Sequence, residues 1–155
     1  MTPAINVLKK DKVDYKLHEY IHNPQTQSYG LEAANKMGVE ESRVFKTVVV
    51  KADNGLLVVA VVPVSSMLSM KLLAKSIGVK KASMADPLEV ERSTGYILGG
   101  VSPLGQKKRV KTIIDYSAES FSTIYISAGR RGLEIELNPN DLKNLTGAKF
   151  VDISQ

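Results

Sequence analysis

The sequence predicts an α+β fold built on a mixed, mostly antiparallel sheet. Three observations carry that prediction. Apolar residues make up 43% of the 155-residue chain, which is enough for a packed core and excludes disordered or collagenous classes. Segments of strand character arrive in adjacent runs broken by scattered short helices, where a parallel α/β fold would alternate strictly. Asn54-Gly55 sits between two β-branched runs, a strong signal for an antiparallel hairpin. A chain of this length reads as one domain over residues 1–155.

The elements follow in order. Thr2-Pro3 supplies an N-cap and a first helical residue, opening a helix to about Asp11. Leu17–Ile21 reads as a short strand. Leu31–Met37 reads as a short helix stopped by Gly38. Val44–Lys51 and Leu56–Val62 are the two arms of the hairpin, joined through Ala52-Asp53-Asn54-Gly55. Ser69 caps a helix through Ile77 that ends at Gly78. Asp86-Pro87-Leu88-Glu89 opens another, with an acidic cap, proline at the first position and glutamate at the third. Val110–Ile114, Ser122–Ser127 and Leu133–Leu137 read as strands. Asn138-Pro139 starts a last helix to about Leu145, and Lys149–Ile153 reads as a closing strand. No linker, low-complexity tract or internal repeat interrupts the series.

Composition narrows the chemistry. The chain has no cysteine, which excludes disulfides, thiolate metal sites, thiol redox chemistry and a protein cysteine nucleophile. His18 and His22 are its two histidines. Placed four apart on a strand they would lie about 13–14 Å from one another, too far to share a metal. No metal and no cofactor are therefore expected. The N-terminus, Met-Thr-Pro-Ala-Ile-Asn-Val-Leu-Lys-Lys, has neither the apolar region nor the cleavage pattern of a signal peptide. The longest apolar run, Leu56–Val62, falls far short of the roughly 20 residues that span a bilayer. The expected compartment is the cytoplasm, without a membrane partner.

The net charge is +5, but it is unevenly placed. Residues 71–111 hold nine basic side chains against three acidic ones, and the rest of the chain is close to neutral. A concentrated basic block suggests an anionic partner. A solvated lysine-rich surface would give the same pattern.

Four groups of residues could carry chemistry. Lys46 shares a strand face with Val44, Val48 and Val50, so its ammonium must snorkel out, shift its pKa or meet an anion; an edge-strand lysine that discourages sheet pairing is the structural alternative. The segment Gly95–Gly105 holds four glycines and a proline, so its backbone either approaches a ligand closely or makes a tight structural turn. Its spacing is a near miss to a phosphate-binding loop, because Gln106 follows the second glycine, and an ATPase reading is rejected. Tyr20 lies among His18, Glu19 and His22 as a core residue or a pocket wall. Glu134 and Glu136 alternate with Leu133, Ile135 and Leu137, a pattern expected of the solvent face of an amphipathic strand, though paired carboxylates also suit acid–base chemistry. Arg130-Arg131 just before them could pair with these carboxylates or with phosphate.

Longer stretches are more specific. They are the opening Met-Thr-Pro-Ala, Phe45-Lys-Thr47, Ala74-Lys-Ser-Ile-Gly-Val-Lys-Lys81 and Met84-Ala-Asp86. Thr123-Ile-Tyr-Ile-Ser127 and Arg131-Gly-Leu133 continue the series. The most telling is Ser93-Thr-Gly-Tyr-Ile-Leu-Gly-Gly-Val-Ser-Pro-Leu-Gly-Gln-Lys-Lys-Arg109. Through these, the chain resembles the YbaK family of aminoacyl-tRNA deacylases, relatives of the editing domain inserted in bacterial prolyl-tRNA synthetases. The Ser-Pro-Leu-Gly-Gln-Lys-Lys-Arg run resembles the subgroup acting on Cys-tRNA(Pro), not the Ala-tRNA(Pro) editors.

The resemblance implies a barrel-like mixed sheet with surrounding helices. It implies an activity that clears cysteine from mischarged proline tRNA, with Cys-tRNA(Cys) as a further substrate. Lys46 matches the family's essential lysine. Tyr20, Tyr29, Thr47, Gly99, Gly100, Ser127 and Glu134 are the substrate-binding candidates. Tyr29 stands where the family often has phenylalanine, Glu134 where relatives can have aspartate, and Ala128 where a second glycine is common. The implied mechanism is substrate-assisted: the cysteinyl thiol attacks its own ester and leaves as a cyclic thiolactone. Lys107, Lys108, Arg109 and Lys111 would contact tRNA phosphates. Prolyl-tRNA synthetase is the expected protein partner. Walls near Tyr20, Tyr29 and Met67 would set the choice among small amino acids. The competing readings are a deacylase for another mischarged tRNA, such as Ala-tRNA(Pro), and a non-catalytic module that binds tRNA or synthetase.

Overall fold

The computed structural model describes residues 1–26 and 28–155. The first helix, α1 (Pro3–Lys10), starts as the capping signal predicts, with the Thr2 hydroxyl accepting from the Ile5 N–H. It buries Ala4, Ile5 and Leu8, a single helical stripe. Strand β1 (Tyr15–Glu19) begins two residues before the expected Leu17. Helix α2 (Tyr29–Met37) ends on Gly38 at φ +69, a left-handed stop that glycine takes without a Cβ penalty.

β2 (Phe45–Ala52) and β3 (Leu57–Pro63) form the predicted hairpin. The Gly55 N–H closes its turn on the Ala52 carbonyl at 2.9 Å, with Gly55 at φ +88. Helix α3 (Met70–Ile77) is capped by Ser69, whose hydroxyl accepts from the Leu72 N–H. β4 (Ala82–Met84) is a three-residue strand that the sequence pattern does not announce. Helix α4 (Pro87–Thr94), β5 (Lys111–Asp115), β6 (Ile124–Arg130), β7 (Leu133–Leu137), α5 (Pro139–Thr146) and β8 (Lys149–Val151) complete the chain. Two short 3-10 turns, Glu41–Arg43 and Tyr116–Ser120, link the elements.

The strands form two sheets, ordered β1-β7-β6 and β4-β2-β3-β5-β8. β3–β5 and β5–β8 pair in parallel and the other four pairings are antiparallel, so the sheet is mixed and mostly antiparallel as expected. The barrel-like expectation takes a looser form. The two sheets meet at a parallel bridge between Val44 and Tyr125 and do not close into a barrel. The outer strands β4 and β8 are three residues each, too short to carry the stagger that closure demands.

Burial explains the layering. Phe45 and Val49 on one face of β2 join Val59, Val61 and the inner residues of β6 and β7 in the main core. Val50 on the other face packs with Val58, Val62, Leu73 and Ile153 under α3. A third cluster sets Ala33 and Ala34 of α2 against Val44 and Tyr125. Helix α2 therefore covers the second face of the three-stranded sheet. Among the described residues, no helix is long and apolar enough to cross a membrane.

Candidate active site

Where the two sheets meet, the start of β2 faces the bulged end of β6 across a cleft of about 530 Å³. Tyr20, Tyr29, Lys46, Thr47, Gly99, Ser127 and Glu134 all line it. Seven of the eight expected pocket residues, drawn from segments more than a hundred residues apart, thus converge on one concavity of ordinary ligand-binding size.

Each is placed by a local cause. Lys46 pairs with Val62 near the head of β2, at the open end of an otherwise apolar face. Thr47 follows it on the opposite face, and its hydroxyl is buried without a hydrogen-bond partner among the described residues. Such an orphaned group is what a bound ligand satisfies. Ser127 lies opposite Glu134, and the β6–β7 register shifts immediately afterwards, between Ser127 and Arg130. That bulge re-aims the strand at the cleft. Tyr20 continues the β1 pairing by donating its N–H to the Gly132 carbonyl at 3.0 Å.

Glu134 departs from the solvent-face expectation. It is 6% exposed, on the sheet face where Tyr125 and Tyr20 pack with Ala33 and Ala34 of α2, the face that alternation assigns to water. Burial pushes its pKa up from 4.5 to about 8. Burial, reinforced by the negative charge of Glu134, likewise raises the Tyr20 phenol to about 12. Among the described residues neither Lys46 nor Glu134 belongs to an ion pair. The cleft therefore holds a lysine and a carboxyl that protonates near neutrality, neither of them in an ion pair among the described residues.

Glu136 is the contrasting neighbour. Its oxygens meet His18 at 2.9 Å and the Thr123 hydroxyl, with Arg43 at 3.8 Å. His22 contacts Glu32 at 2.7 Å. The histidines are thus half-buried hydrogen-bond partners of carboxylates.

Gly99 is required as glycine. It sits at φ +86, and a Cβ there would lie 2.5 Å from Arg131 Nε and 2.8 Å from the Tyr29 ring. Arg131, which sequence reasoning offered to Glu134 or phosphate, instead stacks on Tyr29 with its guanidinium 4.4 Å from the ring centre and donates to the Leu98 carbonyl at 2.7 Å. It ties the tip of the glycine-rich loop to α2. Gly100 does not line the cleft; a Cβ there would press on the Arg130 backbone at 3.0 Å, so its role is close packing.

The basic candidates lie elsewhere. Lys107, Lys108, Arg109 and Lys111 are exposed, and none lines the cleft. Lys111 pairs across to Val58, whereas Lys46 pairs with Val62 on the same strand. Four strand positions separate those levels, about 13 Å along the sheet. Lys108 and Arg109 border a separate depression with Lys10. Sequence reasoning missed Leu31, Ser65, Ser66, Leu98 and Gln155 as cleft residues. The Pro63-Val64-Ser65-Ser66 break after the β-branched run was the available signal.

Comparison with known proteins gives the fold its relatives. The chain is 39% identical, over 99% of its length and 93% of the other protein, to one from Enterococcus faecalis provisionally named a Cys-tRNA(Pro)/Cys-tRNA(Cys) deacylase, EbsC. It is 29% identical over 70% of its length to a proline–tRNA ligase of Trichlorobacter lovleyi, matching 19% of that enzyme. A crystal structure provisionally described as a trans-editing enzyme for prolyl tRNA synthetase superposes with a TM-score of 0.86 at 22% identity, covering 99% of this chain and 95% of that one, which is a likeness of fold. Residues 23–145 match the model of the aminoacyl-tRNA editing domain, and the chain belongs to that family.

Proposed function

We propose that the protein deacylates Cys-tRNA(Pro), and Cys-tRNA(Cys) with it, by letting the substrate's own thiol cleave the ester. The observation that carries the reading is the content of the cleft. A lysine and a carboxyl of raised pKa, both outside any ion pair among the described residues, line it with a threonine hydroxyl that has no partner among them, and the chain has no cysteine to act as nucleophile. The name of the Enterococcus faecalis relative supports the same substrate.

The chemistry balances without a protein nucleophile. The cysteinyl sulfur bonds to its own carbonyl carbon, the bond from that carbon to the ribose oxygen breaks, and the thiol proton ends on the departing tRNA hydroxyl. The free thiolactone then takes up water to give cysteine. Intramolecular attack gains from orientation, which Tyr20, Tyr29 and Ser127 supply as walls. Lys46 holds the ester end and offsets the negative charge developing on its carbonyl oxygen. Glu134, near pKa 8, is matched to a thiol whose ordinary value is about 8.5, and relays its proton.

Lys107, Lys108, Arg109 and Lys111 contact phosphates away from the ester, adding affinity without touching the reaction. Such modest basicity supports weak discrimination among tRNAs, with prolyl-tRNA synthetase supplying selectivity by recruitment. The match to part of a proline–tRNA ligase supports that pairing. If the isolated protein separated tRNA(Pro) sharply from tRNA(Cys), recruitment would have no purpose.

The test is a deacylation panel of Cys-, Ser- and Ala-tRNA(Pro) with capture of the thiolactone. Only the cysteinyl ester should be cleaved fast. Rapid seryl cleavage would sink the thiol-assisted route. Lys46→Ala should remove most activity while circular dichroism stays unchanged, and undiminished turnover would take Lys46 out of the site.

A further inference from the structure

The cleft has an exit. A second groove of about 410 Å³ shares Ser65, Ser66 and Gln155 with it, so the two depressions run into one another across a common saddle. The saddle is held by reciprocal backbone hydrogen bonds between Met67 and Gln155, at 3.2 and 2.8 Å, and by Ser69 donating to the Ile153 carbonyl at 2.7 Å. The other basic-lined depression shares no residue with the cleft.

The groove has a consistent character. Ser42, Ser120 and Ser154 give it hydroxyls, and Tyr116 on its rim is 55% exposed. Phe121 adds a second ring. No lysine or arginine lines it, and Asp152 contributes an exposed carboxylate. Its floor is rigid: buried Asp115 accepts from the Ile153 N–H, the Ser117 N–H and the Ser117 hydroxyl, which pins the turn that presents Tyr116. An exposed ring and neighbouring hydroxyls suit a base and ribose 2′-hydroxyls, and with no cation among the described lining residues the linking phosphates face solvent.

We infer that this groove is the track for the single-stranded 3′ end of the RNA whose aminoacyl group occupies the cleft, with Tyr116 stacking on a base that precedes the terminal adenosine. The inference rests on the deacylase reading. A cleft of about 530 Å³ is of a size for the aminoacyl group and one nucleoside, so the attached chain must leave by a mouth. Pro63, which pairs with Phe45 beside Lys46, lies in the groove wall, so the track starts at the reacting end of the sheet. The basic block near Lys111 lies at the other end.

The experiment compares two substrates, Cys-tRNA(Pro) and 3′-cysteinyl-adenosine, which lacks the preceding nucleotides. Tyr116→Ala should raise KM for the tRNA about tenfold, the scale of one lost base stack, and leave kcat/KM for the short ester within about twofold. Tyr116→Phe should behave as the parent on both, since the ring is what stacks. The KM increase should persist at raised salt, because no phosphate contact is lost. Equal KM for parent and Tyr116→Ala on tRNA would overturn the track. An equal loss on both substrates would do the same, because it would mark a general structural effect. A parent inactive on both substrates would instead bring down the deacylase reading beneath it, a different failure seen in a different column of the assay.

Discussion

Replacing Glu134 by glutamine tests the electrostatics of the cleft directly. Glutamine keeps the shape and removes the ionisation. Folding raises the Glu134 pKa from 4.5 to about 8, so between those values the folded state holds a proton that the unfolded state has released. Stability from this group is therefore fully present below pH 4.5 and is lost as pH rises toward 8. At 1.36 kcal/mol per pH unit, the loss by pH 7 amounts to about 3 kcal/mol. Glu134→Gln should thus match the parent near pH 4.5 and exceed it by about 3 kcal/mol at pH 7. Urea unfolding followed by circular dichroism at both pH values measures the difference. With a slope of about 2 kcal/mol/M, the midpoint should rise by roughly 1–2 M at pH 7 only. An offset that is the same at both pH values would refute the buried-acid argument. The same variant should lose activity at every pH, because glutamine cannot relay the thiol proton.

Three further outcomes follow from the geometry. Glu32→Gln should show the opposite pH slope. Burial works against the Glu32 charge, but His22 and the Asn23 N–H outweigh it and hold its pKa below the ordinary range. Its stabilisation is therefore present above its unfolded pKa and is lost on acidification, so the variant should cost about 1–3 kcal/mol at pH 7 and little at low pH in the same urea assay. Gly99→Ala should lower stability by about 1–3 kcal/mol and depress kcat/KM on both tRNA and short esters, since the new methyl meets Arg131 and Tyr29 at a positive-φ position. Differential scanning calorimetry and the deacylation assay read the two effects. The Lys107→Ala/Lys108→Ala pair should flatten the dependence of log KM for tRNA on log salt by about 1.5, as expected for two lost phosphate contacts, with kcat unchanged.

Much of the fold was written locally. Thr2, Ser69, Asp86 and Asn138 each cap the helix that sequence assigned to them, because a short side-chain oxygen satisfies an orphan N–H whatever the tertiary context. The hairpin turn at Gly55 is equally local. β4 was invisible because three residues carry no period; they become a strand only as the edge partner of β2. Glu134 shows a different limit. Alternation along β7 correctly separates two faces, but nothing in the strand says that α2 will cover the second one. Lys46 stood out as a lone cation on an apolar face of β2, a pattern an edge-strand lysine gives equally, and the family resemblance singled it out for the site. Gln155 reaches the cleft through a backbone pairing with Met67 that exists only in three dimensions, so no local pattern marks it, whereas Ser65 and Ser66 sit in the visible break after β3.

The distribution of satisfied and unsatisfied polar groups argues that this seam is where the chain departs from packing rules for a purpose. Away from it, buried charge is fully answered. Asp115 accepts three hydrogen bonds, Glu32 accepts from the Asn23 N–H and contacts His22, and Glu136 meets His18 and Thr123. At the seam the same chain leaves Thr47 orphaned, Glu134 desolvated and Lys46 outside any ion pair among the described residues, and it leaves Arg131 Nε buried without a partner a short step behind Gly99. Each buried group left without a partner costs about 1–3 kcal/mol, a large share of the 5–15 kcal/mol that holds a domain together. A core that merely had to fold would have repaired them, as it repaired Asp115. Their concentration on one cleft supports the proposed reading, in which the missing partners arrive with the ligand: a developing oxyanion for Lys46, a group that exchanges a proton with Glu134 and a polar atom for Thr47. A cysteinyl ester supplies all three in its carbonyl, its thiol and its ammonium or ribose hydroxyl, and no protein nucleophile is needed to complete the set.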